Sequence, residues 1–300
     1  MKLFKKNNNY YALKQNSKYY SIESGGGSSI GIPREVSSQG VYQMPSTNFS
    51  FSLPSNATDI GSQAMNHAFR SCTGITSADL SSLTTISGSQ AMNYAFYYCT
   101  NLTSVDLSNL TTISGSRAMD SAFRSTGITS LNLSSLTTIS GSYAMYYAFH
   151  QTNLTSLNLS SLTTISGSQA MYSTFYQTKL TSVDLSSLTT ISGSQAMYST
   201  FYGCTSITSV NLSSLTTIEG YFALNYAFQN CTNLTSIDFS NLQIIGKNSS
   251  STDYGQFSYC FDSLFAIPNT GEITCELVKP TLFATCSFET FFSSFFGFGL

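Results

Sequence analysis

The sequence predicts a repeat solenoid, mainly β, in which short parallel strands stack rung on rung with one helical turn per rung. Three observations carry that expectation. The chain repeats one sentence of about 26 residues, clear at 101–126 as NLTSVDLSNLTTISGSRAMDSAFRST. Inside each copy the apolar residues follow a strand-like spacing first and a turn-like spacing afterwards. No copy can bury its apolar face alone, so the copies must stack and contact their nearest neighbours.

The phase is marked by the glycine of GSxAM, at Gly61, Gly88, Gly115, Gly141, Gly167 and Gly193, with a relaxed copy at Gly220. The steps between these numbers are 27, 27, 26, 26, 26 and 27 residues. Long copies contain F-x-x-C (Phe69–Cys72, Phe96–Cys99, Phe201–Cys204, Phe228–Cys231), and short copies lack the cysteine. The extra residue sits at one corner, so strands beside it keep their register.

Leu102, Val105, Leu107, Leu110 and Ile113 show the apolar spacing in full, the L-x-x-L-x-L pattern of a leucine-rich repeat. The segment LTTI suits a second, half-buried strand. Met92, Ala95 and Phe96 stand at i, i+3 and i+4, which predicts one helical turn pointing all three inward. Gly88 and Ser89 fit a tight corner before it. Seven regular strands are expected between Ile75 and Phe239, after a degenerate rung in which Phe51, Leu53, Ala57 and Ile60 hold the apolar positions. Eight rungs at strand spacing make a rod of about 35–40 Å.

The segment Ala95–Leu107, AFYYCTNLTSVDL, resembles the BspA-type (Treponema pallidum type) leucine-rich repeat. The likeness runs over roughly 48–246, and the copies are longer than the family's usual repeat because of the AM segment. The resemblance implies a surface-exposed binding or adhesion protein.

The expected organisation has three parts: an N-terminal arm or cap with a Gly/Ser-rich hinge (1–46), a solenoid (47–246), and degenerate repeats with an aromatic cap (247–300). The arm and the FETFFSSFFGFGL tail are each read as a cap on the solenoid or as a docking or oligomer surface. Charged residues are 9% of the chain and net charge is −2, which disfavours nucleic acid. The start MKLFKKNNNYYALKQ has lysines without an apolar segment, and no apolar run is long enough for a transmembrane helix. A phage virion, which needs no export signal, is therefore the first expected location, with a cell surface as the alternative.

No rung gathers a nucleophile, base and orienting acid, so an enzyme is not expected. Neither a metal nor a cofactor is expected: the cysteines follow the repeat, not a C-x-x-C pattern, and buried free thiols are preferred over disulfides. Two repeated features are candidate binding residues. Asp79, Asp106, Asn132, Asn158, Asp184, Asn211 and Asp238 occupy the outward position of each strand, read either as a solvated polar column or as a strip for a glycan or protein. Tyr94, Tyr98, Tyr147, Tyr172 and Tyr198 lie in the turns, equally suited to ligand contact and to packing between rungs. The expected function is non-enzymatic recognition of a host-surface protein or glycan, by a virion appendage or decoration protein. A BspA-like cell-surface adhesin and a structural spacer without ligand are the alternatives.

Overall fold

The computed structural model describes residues 48–53 and 55–245, with side chains through Gln243, and the backbone of six outlying strands: Leu3–Lys6, Asn9–Ala12, Tyr20–Ile22, Glu35–Val36, Tyr42–Gln43 and Thr274–Cys275. The expected Gly/Ser hinge, the polar loop after 246 and the aromatic tail lie outside the described residues. In the arm, Leu3–Lys6, Asn9–Ala12 and Tyr20–Ile22 form a three-stranded antiparallel sheet.

Between 48 and 245 the chain winds through about seven turns of a parallel-strand solenoid of leucine-rich-repeat type. Each rung has three sides. The front side is a short strand, Ser104–Asp106 in the second regular rung, and the back side is the strand Thr112–Ile113. The third side is the AM-x-x-AF segment. The front strands run in sequence from Phe49–Ser52 to Ser236–Asp238, and Thr274–Cys275 adds to the end of that sheet. The back strands, Thr85–Ile86 to Ile244–Ile245, pair in one seven-stranded sheet. Register is strict there: Thr112 pairs with Thr85 and Thr138, and Ile113 with Ile86 and Ile139. The front sheet's ladder is interrupted once, between Ser104–Asp106 and Ser130–Asn132. That break follows the first corner lacking the F-x-x-C residue, so the missing residue is felt locally.

The core is the stack of inward residues. Val105, Leu107, Leu110 and Ile113 are buried, as are their described counterparts in the other regular rungs. Phe69, Phe96, Phe123, Phe149, Phe175, Phe201 and Phe228 form a column of near-parallel rings with centroids 5.1–5.7 Å apart. In the degenerate first rung Phe51, Leu53 and Ile60 are buried as expected, and Ala57 packs against them half-buried.

The third side differs from expectation: among the described residues there is no helix. Ala91, Asn93, Ala95, Tyr97 and Cys99 donate their N–H groups three residues back, to Gly88, Gln90, Met92, Tyr94 and Phe96. The alternate residues Gln90, Met92, Tyr94, Phe96 and Tyr98 donate to carbonyls of the next rung, Ser116, Ala118, Asp120, Ala122 and Arg124. The segment is thus a ribbon of successive turns, half of whose bonds run along the solenoid. Every fourth residue takes a positive φ, three in each of seven ribbons. These are non-glycine residues with φ between 48° and 60°, apart from Gly203 at 68°. The reason lies in spacing. Strands stack at about 4.8 Å, whereas helices pack at about 8–10 Å. One helical turn per rung cannot keep pace with two strands per rung, and the ribbon can.

The phase glycines also serve a different purpose from the turn chemistry expected of them, since none of them has a positive φ. They form a column in which each stands on the glycine of the preceding rung. A Cβ on Gly167 would lie 2.6 Å from the carbonyl carbon of Gly141 and 2.9 Å from the Ser140 oxygen. The side chain is missing because the backbones touch there.

Candidate functional site

The front sheet carries the polar columns. On each front strand the middle residue points into the core and its neighbours point out, the alternation of a half-buried strand. The Asp/Asn residues come together as a ladder. Asp79 pairs in register with Asp106, Asn132 with Asn158, Asn158 with Asp184, Asp184 with Asn211, and Asn211 with Asp238. A column of serines, including Ser130, Ser156, Ser182, Ser209 and Ser236, runs parallel to it.

Every member of the ladder has a structural task that sequence reading did not separate out. Its Oδ1 accepts the backbone N–H of the serine two residues on, at 2.8–3.1 Å in all seven rungs. This is an Asx turn, which swings the chain from the front strand towards the back. The Ser81 hydroxyl and N–H, together with Ser52, hold the Asp79 carboxyl below its usual range against a smaller opposing effect of burial. The Thr columns are likewise engaged: Thr111, Thr137, Thr163, Thr189 and Thr216 each donate a hydroxyl to the carbonyl of the matching Thr one rung earlier. At the N-terminal end Ser77 donates to Ser50 at 2.6 Å, and from Asp106 onward the second atom of each Asp or Asn and the hydroxyls of the strand serines remain on the front. Towards the C-terminal end these line a shallow groove of about 440 Å³ formed by Ser182–Asp184, Ser209–Asn211 and Ser236–Asp238.

The tyrosines divide into two groups. Tyr172 and Tyr198 stack face to face at 4.6 Å and 6°, and Tyr146 lies on Tyr172 at 5.0 Å. Tyr147 meets Tyr146 and His150 edge-on. Beside them His150, Tyr176 and Tyr202 make a second stack at 4.6 and 4.7 Å. These ring faces are spent on one another, and the hydroxyls of Tyr146 and Tyr147, and of Tyr172 and Tyr198, are hydrogen-bonded in pairs. Burial, with neighbouring Tyr198 contributing, pushes the Tyr172 phenol up to about 12. The second group lies at the N-terminal end. Tyr94 stacks on His67 at 5.0 Å, and Tyr98, 46% exposed, stands edge-on to Tyr97. Arginines that the sequence reading did not single out join this group. Arg70 and Arg124 approach the two sides of Tyr97 with guanidinium carbons 5.3 and 5.8 Å from the ring centroid. The signal was there: aligned on the repeat, the residue after the core Phe reads Arg70, Tyr97, Arg124, His150, Tyr176, Tyr202.

Cys72, Cys99, Cys204 and Cys231 are buried and carry thiols rather than disulfides. Cys99 donates to the Phe69 carbonyl at 2.9 Å, and burial pushes its thiol up to about 12. Cys260 and Cys286 lie outside the described residues. Among the described residues no group of three His, Cys, Asp or Glu side chains could hold a metal ion, and no helix is long and apolar enough to cross a membrane.

Stacked parallel strands, an apolar column and polar outward ladders define the class, a leucine-rich-repeat solenoid. The sequence pattern of the BspA type leucine rich repeat region matches six copies over residues 20–147 and 145–291, so the chain belongs to that family. Among solved structures it is similar to a leucine-rich repeat protein from Bacteroides ovatus ATCC 8483, at 16% identity, covering 86% of this chain and 82% of that one with a TM-score of 0.29. It is also similar to a leucine rich cell surface protein from Faecalibacterium prausnitzii A2-165, at 16% identity, covering 83% and 96%, with a TM-score of 0.15. A search of curated proteins finds no match.

Proposed function

We propose that the chain is a non-enzymatic recognition protein that binds a host-surface glycan or protein through its front sheet. One observation carries the reading: serine and Asp/Asn columns held in register beside a shallow groove at Ser182–Asp184, Ser209–Asn211 and Ser236–Asp238. Such a surface offers repeated donors and acceptors at rung spacing, which suits an extended ligand bound by many weak contacts. Several copies on one carrier multiply those contacts. Membership of a repeat family with surface-exposed members supports a surface setting. Neither the family nor the similar structures speak for a virion carrier, and the front-sheet proposal does not depend on one.

The test uses fluorescently labelled full-length chain on intact bacterial cells, beside a variant with Ser182, Ser209 and Ser236 all changed to Lys. Saturable binding by the wild type, lost in a variant of unchanged circular dichroism, is the expected result. Equal binding by both proteins would remove recognition from the front sheet. Absence of binding by the wild type would favour the spacer reading. Immunogold labelling in the source culture separates the carriers: label on phage particles restores the virion appendage, and label on the cell envelope supports an adhesin.

A further inference from the structure

The arginines of the solenoid and most of its aspartates stand on different sides. Asp79, Asp106, Asp184 and Asp238 stand on the front. All three arginines between residues 48 and 245, Arg70, Arg117 and Arg124, stand on the turn ribbons. The seven ribbons hold one carboxylate, Asp120, which is buried and bonded to Arg117 at 2.7 Å. Among the described residues neither Arg70 nor Arg124 forms an ion pair: Arg70 lies 3.5 Å from His67 Nδ1, and Arg124 acts on the Asp120 carboxyl only through space.

These two arginines occupy the same column two rungs apart, with Tyr97 between them. Arg124 is also 5.2 Å from the Tyr147 ring centroid, and Arg70 is 5.8 Å from that of Tyr94. Stacking on rings orients a planar guanidinium before any ligand arrives, so less side-chain freedom is lost on binding. Two rungs separate the charges by about 10 Å at strand spacing. A guanidinium is also the side chain best shaped to take a carboxylate or sulfate by two parallel hydrogen bonds. Tyr97 and the exposed Tyr98 place hydroxyls and ring edges beside them.

We propose that Arg70, Tyr97, Tyr98 and Arg124 form a second binding strip, separate from the front sheet, that takes an anionic polysaccharide carrying one carboxylate or sulfate per disaccharide. The alternation of cation and tyrosine along the column matches a polymer in which charged and uncharged sugars alternate. Two arginines in one column, on a chain of net charge −2, are too few for the many phosphate contacts on which nucleic-acid binding depends.

The experiment is affinity electrophoresis of the full-length chain in native gels containing hyaluronan, which has one carboxylate per disaccharide, with dextran as the neutral polymer. Hyaluronan is expected to retard the protein and dextran is not. The double variant R70Q/R124Q is expected to bind at least about tenfold more weakly. R70K/R124K, which keeps the charge but not the fork, should fall between them. The front variant D79N/D106N is expected to bind as the wild type does, and thermal unfolding of each variant shows that the fold is kept. Binding should vanish near 1 M salt, where the screening length is about 3 Å. Lack of retardation by hyaluronan, equal retardation of R70Q/R124Q, or equal retardation by dextran would each overturn the proposal. So would equally tight binding of linear polyphosphate, which would reduce the strip to a general attraction for polyanions. Retardation that accompanies dimer formation and disappears in D79N/D106N would assign the arginines to a second copy's acidic front instead. Because the front-sheet reading is tested on cells with serine variants, either proposal can fail alone.

Discussion

The strand sides and the ribbon side of each rung share one axial spacing but reach it by different hydrogen-bond rules. On the back sheet, Thr and Ile pair with the same residues of the rungs before and after, in ordinary extended conformation. On the ribbon, alternate N–H groups turn inward to their own rung, and every fourth residue accepts a left-handed backbone. That conformation costs a non-glycine residue roughly 1–2 kcal/mol. It persists here because the ribbon's inter-rung bonds and the phenylalanine column over-determine it. The strand sides therefore set the spacing, and the ribbon is fitted to it at a local cost.

Four measurements would break or sharpen that contrast. The largest effect is expected at the glycine column, where the rungs approach most closely. Gly167→Ala would set a Cβ against the Gly141 carbonyl and is expected to destabilise by about 5 kcal/mol or more, or to prevent folding. Thr138→Ala, on the half-exposed back strand, should cost less than about 1 kcal/mol. Urea unfolding compares the two, and a fully stable Gly167→Ala protein would show that the spacing is not fixed at this corner.

Next comes the ring column under the ribbon. Phe149 is fully buried, with Phe123 at 5.1 Å and Phe175 at 5.7 Å. Phe149→Ala is expected to cost about 3–5 kcal/mol by the same measurement.

The third concerns acid. His150 is buried, and burial first, then Arg124, lower its imidazole to about 4 from 6.5. Above about 6.5 the ring is neutral in folded and unfolded chains alike, and its full contribution is present. Between there and about 4 the unfolded chain binds a proton that the folded one refuses, so stability falls as pH falls. The urea midpoint of the wild type should drop more between pH 7 and pH 4 than that of His150→Gln. Parallel curves would mean that the ribbon does not exclude the charged ring.

The smallest effect tests the left-handed positions themselves. Ser125 has φ 57°, and Gly203 fills the equivalent place three rungs later at φ 68°. Ser125→Gly should stabilise by roughly 0.5–1 kcal/mol, and Gly203→Ala should destabilise by about 1 kcal/mol. The opposite sign for Ser125→Gly would mean that the strain is already relieved by its neighbours.

Much of the architecture was legible because stacking makes the sequence repeat what the structure repeats. Leu102, Val105, Leu107, Leu110 and Ile113 were identified as core from spacing alone, and all are buried. The Asp/Asn ladder was legible as a column, since period-two alternation puts Asp106 and Asn132 outside. The ribbon was not legible as a ribbon. Ala91–Met92 and Ala95–Phe96 recur four residues apart, and over so short a stretch that spacing coincides with a helix's. The Asx turns were hidden for another reason: a polar residue that faces out looks the same in sequence whether its oxygen meets solvent or caps a neighbouring N–H.

The sequence by itself determined the period, the inward set of each strand, the single-residue difference between long and short corners, and the family. Those are properties of residue spacing, and spacing is written along the chain. Only the tertiary structure decided that the third side is a ribbon of turns, that the phase glycines mark backbone contact, and that Arg70 and Arg124 meet across Tyr97. Each of these depends on what the next rung presents about 4.8 Å away. A bond or a contact between rungs joins residues some 26 positions apart, and local pattern does not record which partner an N–H or a ring will choose.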